Sequence, residues 1–237
     1  RYLEDMKTAL NTALTLEANI DQGPRAFRQD VAMSMFDQGS VAIVPVDTNF
    51  DPQKKYPLLV HVYGEPAGST VQDNWSTGDN LWHQYMANQG YLVMSIDSRG
   101  TKVPRGRDWR KIIYRQIGLL SADDQAKAAT KIAQTYSFVD ASRMGIWGWS
   151  GGGSATLNLM FQYPEIYKTG IAVAAVANQL TYDNIYQERY MGLPQENIGD
   201  FIKGSPITYA KNLRGNLLYI HGTGDDNVHY ANAEMLI

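Results

Sequence analysis

A serine set among glycines, in Gly148-Trp149-Ser150-Gly151-Gly152, is the feature of this chain best suited to covalent chemistry. A serine hydroxyl becomes a useful nucleophile only when a base takes its proton and an acid orients that base. Glycines on either side let a strand bend sharply into a helix, which lifts the serine oxygen above the sheet. A helix N-terminus also turns backbone N–H groups toward the oxyanion that develops on an attacked carbonyl. G-x-S-x-G alone is a weak pattern. Here it follows the apolar stretch Met144-Gly145-Ile146-Trp147-Gly148 and precedes the helical pattern of Leu157, Met160 and Phe161, which is the context the motif requires.

In this arrangement the acid and then the histidine follow the serine along the chain. The next acid after an apolar strand lies in His221-Gly222-Thr223-Gly224-Asp225-Asp226-Asn227. Asp225 and Asp226 are adjacent, and spacing does not choose between them. One of the pair is also expected to serve the loop as a local cap. The chain has 4 histidines: His61, His83, His221 and His229. His61 and His221 fall within or at the end of strands, and His83 falls in a helical pattern, so these read as structural. His229 also reads as structural; it stands four residues after Asp225 and is the nearest alternative for a base.

These residues need elements to hold them. Apolar stretches at 56–63, 91–97, 144–148, 171–176 and 217–221 predict strands buried on both faces. Helical patterns at 78–89, 122–136, 152–162 and 205–212 separate them. Strand–helix alternation predicts a mostly parallel, doubly wound sheet. Ligands of such a sheet bind beyond the carboxyl ends of the strands. The segments Tyr63-Gly64-Glu65-Pro66, Asp97-Ser98-Arg99-Gly100, Trp149-Ser150-Gly151-Gly152 and Gly222-Thr223-Gly224-Asp225 should therefore share one rim. Asp97 is assigned no part in the chemistry. Upstream, residues 2–19 predict an amphipathic helix broken at Gly23-Pro24, and 30–35 with 41–46 predict a hairpin. The opening residue is Arg1, not Met, and a helical pattern is still running at 231–237. Both ends therefore read as internal to a longer chain.

The 237 residues suit one large domain. A net charge of −3 offers no electrostatic case for nucleic acid or an anionic membrane surface. The absence of cysteine removes disulfides, thiolate metal sites and a cysteine nucleophile. With no metal-ligand cluster, and with Gly151-Gly152-Gly153 lacking the lysine of a phosphate loop, no cofactor is expected. Asn74-Trp75-Ser76 is a glycosylation sequon, relevant only to a eukaryotic secretory source.

Further segments carry a resemblance. They are Leu3-Glu4-Asp5, Lys54-Lys55-Tyr56-Pro57-Leu58-Leu59, Val62-Tyr63, Gly145-Ile146-Trp147-Gly148-Trp149-Ser150, Tyr182-Asp183, Tyr186, Glu188-Arg189-Tyr190-Met191-Gly192-Leu193-Pro194, His221-Gly222-Thr223 and Asp225-Asp226-Asn227-Val228-His229. Through them the chain resembles the prolyl oligopeptidase family of serine peptidases, in its dipeptidyl peptidase branch. The resemblance implies an α/β-hydrolase fold and release of N-terminal dipeptides after proline or alanine from a peptide substrate. It implies Ser150 as nucleophile and Asp225 as triad acid. It implies Tyr63 and the Gly151 N–H as the oxyanion hole, and Tyr182, Tyr186, Val176, Asn227 and Val228 as the pocket for the residue before the scissile bond. It also implies a β-propeller ahead of residue 1, a triad histidine beyond residue 237, a homodimer, and a periplasmic or secreted location. Gly151 stands where the family member has tyrosine and Gln179 where it has tryptophan, which predicts a roomier pocket, less strict for proline. The alternatives are an oligopeptidase or esterase on the same fold, or a non-catalytic binding relative.

Overall fold

The computed structural model describes residues 41–44, 50–71 and 79–237. The helix expected over 2–19, the strand at 30–35 and the sequon at Asn74 lie outside these residues. The described elements run β1 (Val41–Val44), β2 (Tyr56–His61), α1 (Asp79–Asn88), β3 (Leu92–Ile96), α2 (Gly106–Lys111), α3 (Leu120–Thr135), β4 (Val139–Trp149), α4 (Gly151–Gln162) and β5 (Thr169–Val173). They continue with a 3-10 turn (Gln179–Thr181), α5 (Asn184–Met191), α6 (Pro194–Gly204), a 3-10 helix (Pro206–Asn212), β6 (Asn216–Ile220) and α7 (Ala231–Leu236).

The strands form one sheet in the order β1-β3-β2-β4-β5-β6. β1 runs antiparallel to β3, and every other pairing is parallel. Five strands therefore end at one rim, which gathers the four segments expected there. Alternation along the strands sorts side chains to two cores. Leu58, Val60, Leu92, Met94 and Ile146 join Ala122, Ala126, Leu157 and Leu159 of α3 and α4. Leu59, Val93 and Trp147 face the other way, toward Met86 of α1. Helices thus cover both faces, as strand–helix alternation requires.

Three expectations need correction. Residues 206–212 form a 3-10 helix rather than an α-helix. Its backbone bonds close over three residues, Thr208 N–H to the Ser205 carbonyl and Leu213 N–H to the Ala210 carbonyl. The stretch at 171–176 stops being a strand at Val173, because Ala174 adopts φ 47 and the chain leaves the ladder. Burial on both faces also fails for β6. Leu218 and Ile220 are 54% and 45% exposed, since this edge strand is covered on one face only among the described residues.

Candidate active site

Backbone contact dictates the bend at Ser150. A Cβ on Gly148 would lie 2.4 Å from the Val62 and Gly152 carbonyl oxygens, and one on Gly152 would lie 2.2 Å from Val62 O. No side chain fits there, so β4 can turn directly into α4. Ser150 sits at the turn with φ 56 and ψ −119, in a left-handed region that non-glycine residues avoid. Its N–H donates to the Val173 carbonyl at 2.8 Å, and its own carbonyl accepts from Ser154 N–H at 3.0 Å, the first bond of α4. The residue is half-buried. The N–H groups of Gly151 and Gly152 open the 12-residue helix and have no partner within it.

Tyr63 follows β2 on the same rim. Its ring packs against Gly68, whose Cβ would lie 3.2 Å from the ring carbons. The loop that carries it is clamped to the end of β3. Buried Asp97 accepts from Thr70 N–H at 2.7 Å, from the Thr70 hydroxyl at 3.1 Å and from Val71 N–H at 3.2 Å. Burial, and then the nearby Glu65 carboxyl, push the Tyr63 hydroxyl up to about 12. It therefore stays a protonated donor throughout the neutral range. Among the described residues that hydroxyl has no hydrogen-bond partner, so it is available to a ligand.

Asp225 lies in the loop after β6, where the two acids of the pair differ in their contacts. Asp225 Oδ1 accepts from Asn227 N–H at 3.0 Å and Val228 N–H at 2.9 Å. Its Oδ2 stands 3.6 Å from His221 Nε2. Asp226 is exposed. Backbone bonds tie this loop to the serine bend, because Ser150 N–H bonds Val173 at the end of β5 and Ala174 N–H bonds Ile220 O, at the end of β6, at 2.8 Å.

None of the histidines is presented to Ser150 by a contact among the described residues. His61 stacks on Trp147 at 4.6 Å, and His83 lies 4.8 Å from His61 in the same cluster. Burial holds His61 down to about 4. His221 Nε2 donates to the Val228 carbonyl at 2.8 Å, which spends its proton within the loop. His229 lies ahead of α7 rather than on it, and its Nδ1 accepts from Ala231 N–H at 3.1 Å.

The aromatic wall comes from the segment after β5. The Tyr182 hydroxyl donates to Asn227 Oδ1 at 2.8 Å, which joins the wall to the Asp225 loop. Tyr182 and Tyr186 meet edge to face at 5.5 Å. Val176 is buried, with its N–H bonded to Ser154 Oγ at 2.9 Å, and Val228 is buried beside Asn227. Gln179 is held inside the protein. It is 1% exposed, and its Oε1 accepts from Gln187 Nε2 at 2.7 Å.

Two residues that the sequence did not single out organise the site. Asn232 is wholly buried, and its Oδ1 accepts from Ala177 N–H, Asn178 N–H and the Thr181 hydroxyl at 3.0–3.2 Å. It fixes the path from Val176 to Tyr182. Glu65 is buried, and its Oε2 accepts from the Tyr186 hydroxyl at 2.5 Å. Burial pushes its carboxyl up to about 7, against the opposing pull of that hydrogen bond. An acid in a strand-end segment of the active rim was the available signal for Glu65; nothing local marks Asn232.

A mostly parallel sheet with helices on both faces, and a serine raised on a strained strand-to-helix bend at its carboxyl rim, define an α/β-hydrolase. A family model described as the prolyl oligopeptidase family matches residues 78–237, and the chain belongs to that family. It is 42% identical over 192 residues to "Probable dipeptidyl-aminopeptidase B" of Trichophyton verrucosum, a match covering 80% of this chain and 21% of that protein. It is 38% identical over 187 residues to "Venom dipeptidyl peptidase 4" of Vespa velutina, covering 77% of this chain and 24% of that one. Among solved structures, dipeptidyl peptidase 4 of Porphyromonas gingivalis matches 84% of this chain with a TM-score of 0.79 and 42% identity, over 27% of its own length. The chain thus spans about a fifth to a quarter of the curated relatives it matches.

Proposed function

We propose that this chain is the nucleophile-bearing part of a serine peptidase that releases dipeptides from free amino termini, cutting after proline or alanine. The observation that carries this reading is Ser150 at φ 56 on the strand-to-helix bend, with Tyr63 and the Asp225 loop on the same rim. Ser150 Oγ attacks the peptide carbonyl and its proton passes to a histidine. The carbonyl oxygen becomes an oxyanion that accepts from the Tyr63 hydroxyl and the Gly151 N–H. Collapse expels the amine, which takes the histidine's proton, and water then releases the acyl group by the same steps. Asp225 orients the histidine. His61, His83 and His221 are held in contacts away from Ser150, and the histidine in this reading is the one the family resemblance implies. Tyr182, Tyr186, Val176, Asn227 and Val228 receive the side chain before the scissile bond, and an aromatic-walled recess suits a flat pyrrolidine ring. The dipeptidyl register is supported by the names of the relatives.

The test uses the longest natural form of the protein. Gly-Pro and Gly-Ala chromogenic substrates with a free amino group should be cleaved, and their N-blocked counterparts should not. Equal cleavage of the blocked substrates would replace the dipeptidyl reading with an endo-acting one. No cleavage of any of them, together with no organophosphonate adduct on Ser150, would overturn the peptidase reading.

A further inference from the structure

Glu65 occupies the space that a side chain at position 151 would fill. A Cβ on Gly151 would lie 2.7 Å from the Glu65 carboxyl carbon and 2.7 Å from its Oε2, closer than atoms approach. Glycine at 151 therefore does not leave a void. It leaves room that a carboxyl has taken, directly beside the residue that follows Ser150. The group is anchored, because Oε2 accepts from the Tyr186 hydroxyl. The other oxygen has no hydrogen-bond partner among the described residues and is not sealed from solvent. Tyr63 faces the carboxyl from its own loop, and Tyr186 from α5. Tyr182, just ahead of α5, also feels its charge. Its own titration is set by burial and by Tyr186, with no cation contributing.

We propose that Glu65 is a specificity-determining residue of the acyl-side pocket, selecting substrates whose residue before the scissile bond carries a hydroxyl over substrates with an apolar side chain of the same size. The inference rests on the reading of Ser150 as nucleophile and of the Tyr182–Tyr186 wall as that pocket. An apolar side chain seated against Glu65 strips water from the free carboxyl oxygen and gives it nothing in return. A serine or threonine hydroxyl donates to it. A site built around a buried polar group rejects the isostere that lacks the matching group. Because the carboxyl ionises near neutrality, the discrimination grows as pH rises. A charged acceptor bonds the hydroxyl more strongly and costs more to bury against a methyl group.

Two isosteric pairs test this on the longest natural form of the protein: threonine against valine, and serine against 2-aminobutyrate, in otherwise identical dipeptidyl substrates. At pH 8 the hydroxyl member should lead in kcat/KM by roughly tenfold, and by less at pH 6. Titration of the base affects both members alike and drops out of the ratio. Glu65→Ala should bring the ratio to near one. Glu65→Gln, which keeps the volume and so protects the fold, should remove its pH dependence. A wild-type ratio at or below one, or a ratio that both variants leave unchanged, overturns the role of Glu65 while leaving the peptidase reading intact. A protein that cleaves no peptide fails the peptidase reading, and this inference falls with it.

Discussion

In the proposed reaction Ser150 and Tyr63 carry the chemistry, and each has a distinct physical signature in the structure. Tyr63 keeps its proton and has a free hydroxyl, so its bond to a substrate strengthens only as the carbonyl oxygen gains charge. Loss of one such donor removes about 3 kcal/mol of transition-state stabilisation. Tyr63→Phe should therefore lower kcat by 100-fold or more while KM moves little, as steady-state kinetics on a Gly-Pro substrate would show; an unchanged kcat would take Tyr63 out of the oxyanion hole. Ser150 is held in a conformation that costs on the order of 1–3 kcal/mol. Glycine at that position relieves the strain but gives back about 0.5–1 kcal/mol of unfolded-chain entropy. Ser150→Gly should then raise unfolding stability by about 1 kcal/mol, read from the urea midpoint, while abolishing covalent labelling. A loss of stability would mean that the bend is not strained.

At the scale of elements, the site depends on how the segment between β5 and α5 is hung. That segment leaves the sheet at Ala174 and runs through the buried residues Ala175–Ala177 before it reaches the tyrosine wall. It cannot satisfy its backbone groups in the ladder there, so side chains do so: Ser154 for Val176, Asn232 for Ala177 and Asn178, and Ser205 for Gln179. Asn232 reaches across from α7, more than fifty residues away in sequence. Asn232→Ala leaves two backbone donors unmet in a buried place, and should cost about 3 kcal/mol. Chemical denaturation would register this as a lower midpoint at unchanged m-value, and KM for Pro substrates should rise as the wall loosens. Arg99 plays a comparable part on the far side. Its guanidinium grips buried Asp124 at 2.6 Å and its N–H bonds the same carboxylate, which pins the end of β3 to α3.

At the scale of the whole molecule, two buried groups with opposite habits shape the response to pH. Burial lowers His61 from 6.5 to about 4, so the unfolded chain binds its proton first and stability falls as pH drops through that window. Burial raises Glu65 from 4.5 to about 7, so the folded chain binds its proton first and stability falls as pH climbs through its window. The windows overlap between 4.5 and 6.5, where each group contributes about 1.4 kcal/mol per pH unit with opposite sign. Stability should therefore be nearly flat there. Glu65→Gln should expose a loss of about 3 kcal/mol on acidification from 6.5 to 4.5, and His61→Phe should expose a gain of similar size. Denaturation midpoints measured across that range decide it, and parallel curves for both variants and wild type would refute the balance.

The order of the elements, the parallel sheet and the serine bend were legible in the sequence because each leaves a local mark. Apolar runs of strand length and helical spacing in Leu157, Met160 and Phe161 act on their immediate neighbours, and the glycines at 148 and 152 mark the bend in the sequence even though it is the Val62 carbonyl that leaves no room for a side chain there. The different contacts of Asp225 and Asp226 were not a local matter, since they depend on which carboxylate the loop folds back upon. The end of the fifth strand at Val173 was hidden for the same reason, because Ala174 and Val176 remain apolar while their N–H groups are claimed by Ile220 and by Ser154. Glu65 shows the limit most clearly. Its neighbours in sequence mark a loop acid at a strand end, whereas its properties come from Gly151 and Tyr186, which only the folded chain brings against it. Periodicity and close-packing rules act over a few residues and can be read along a chain, but desolvation and hydrogen-bond partnership are set by whichever distant residues arrive, and tertiary structure alone decides them.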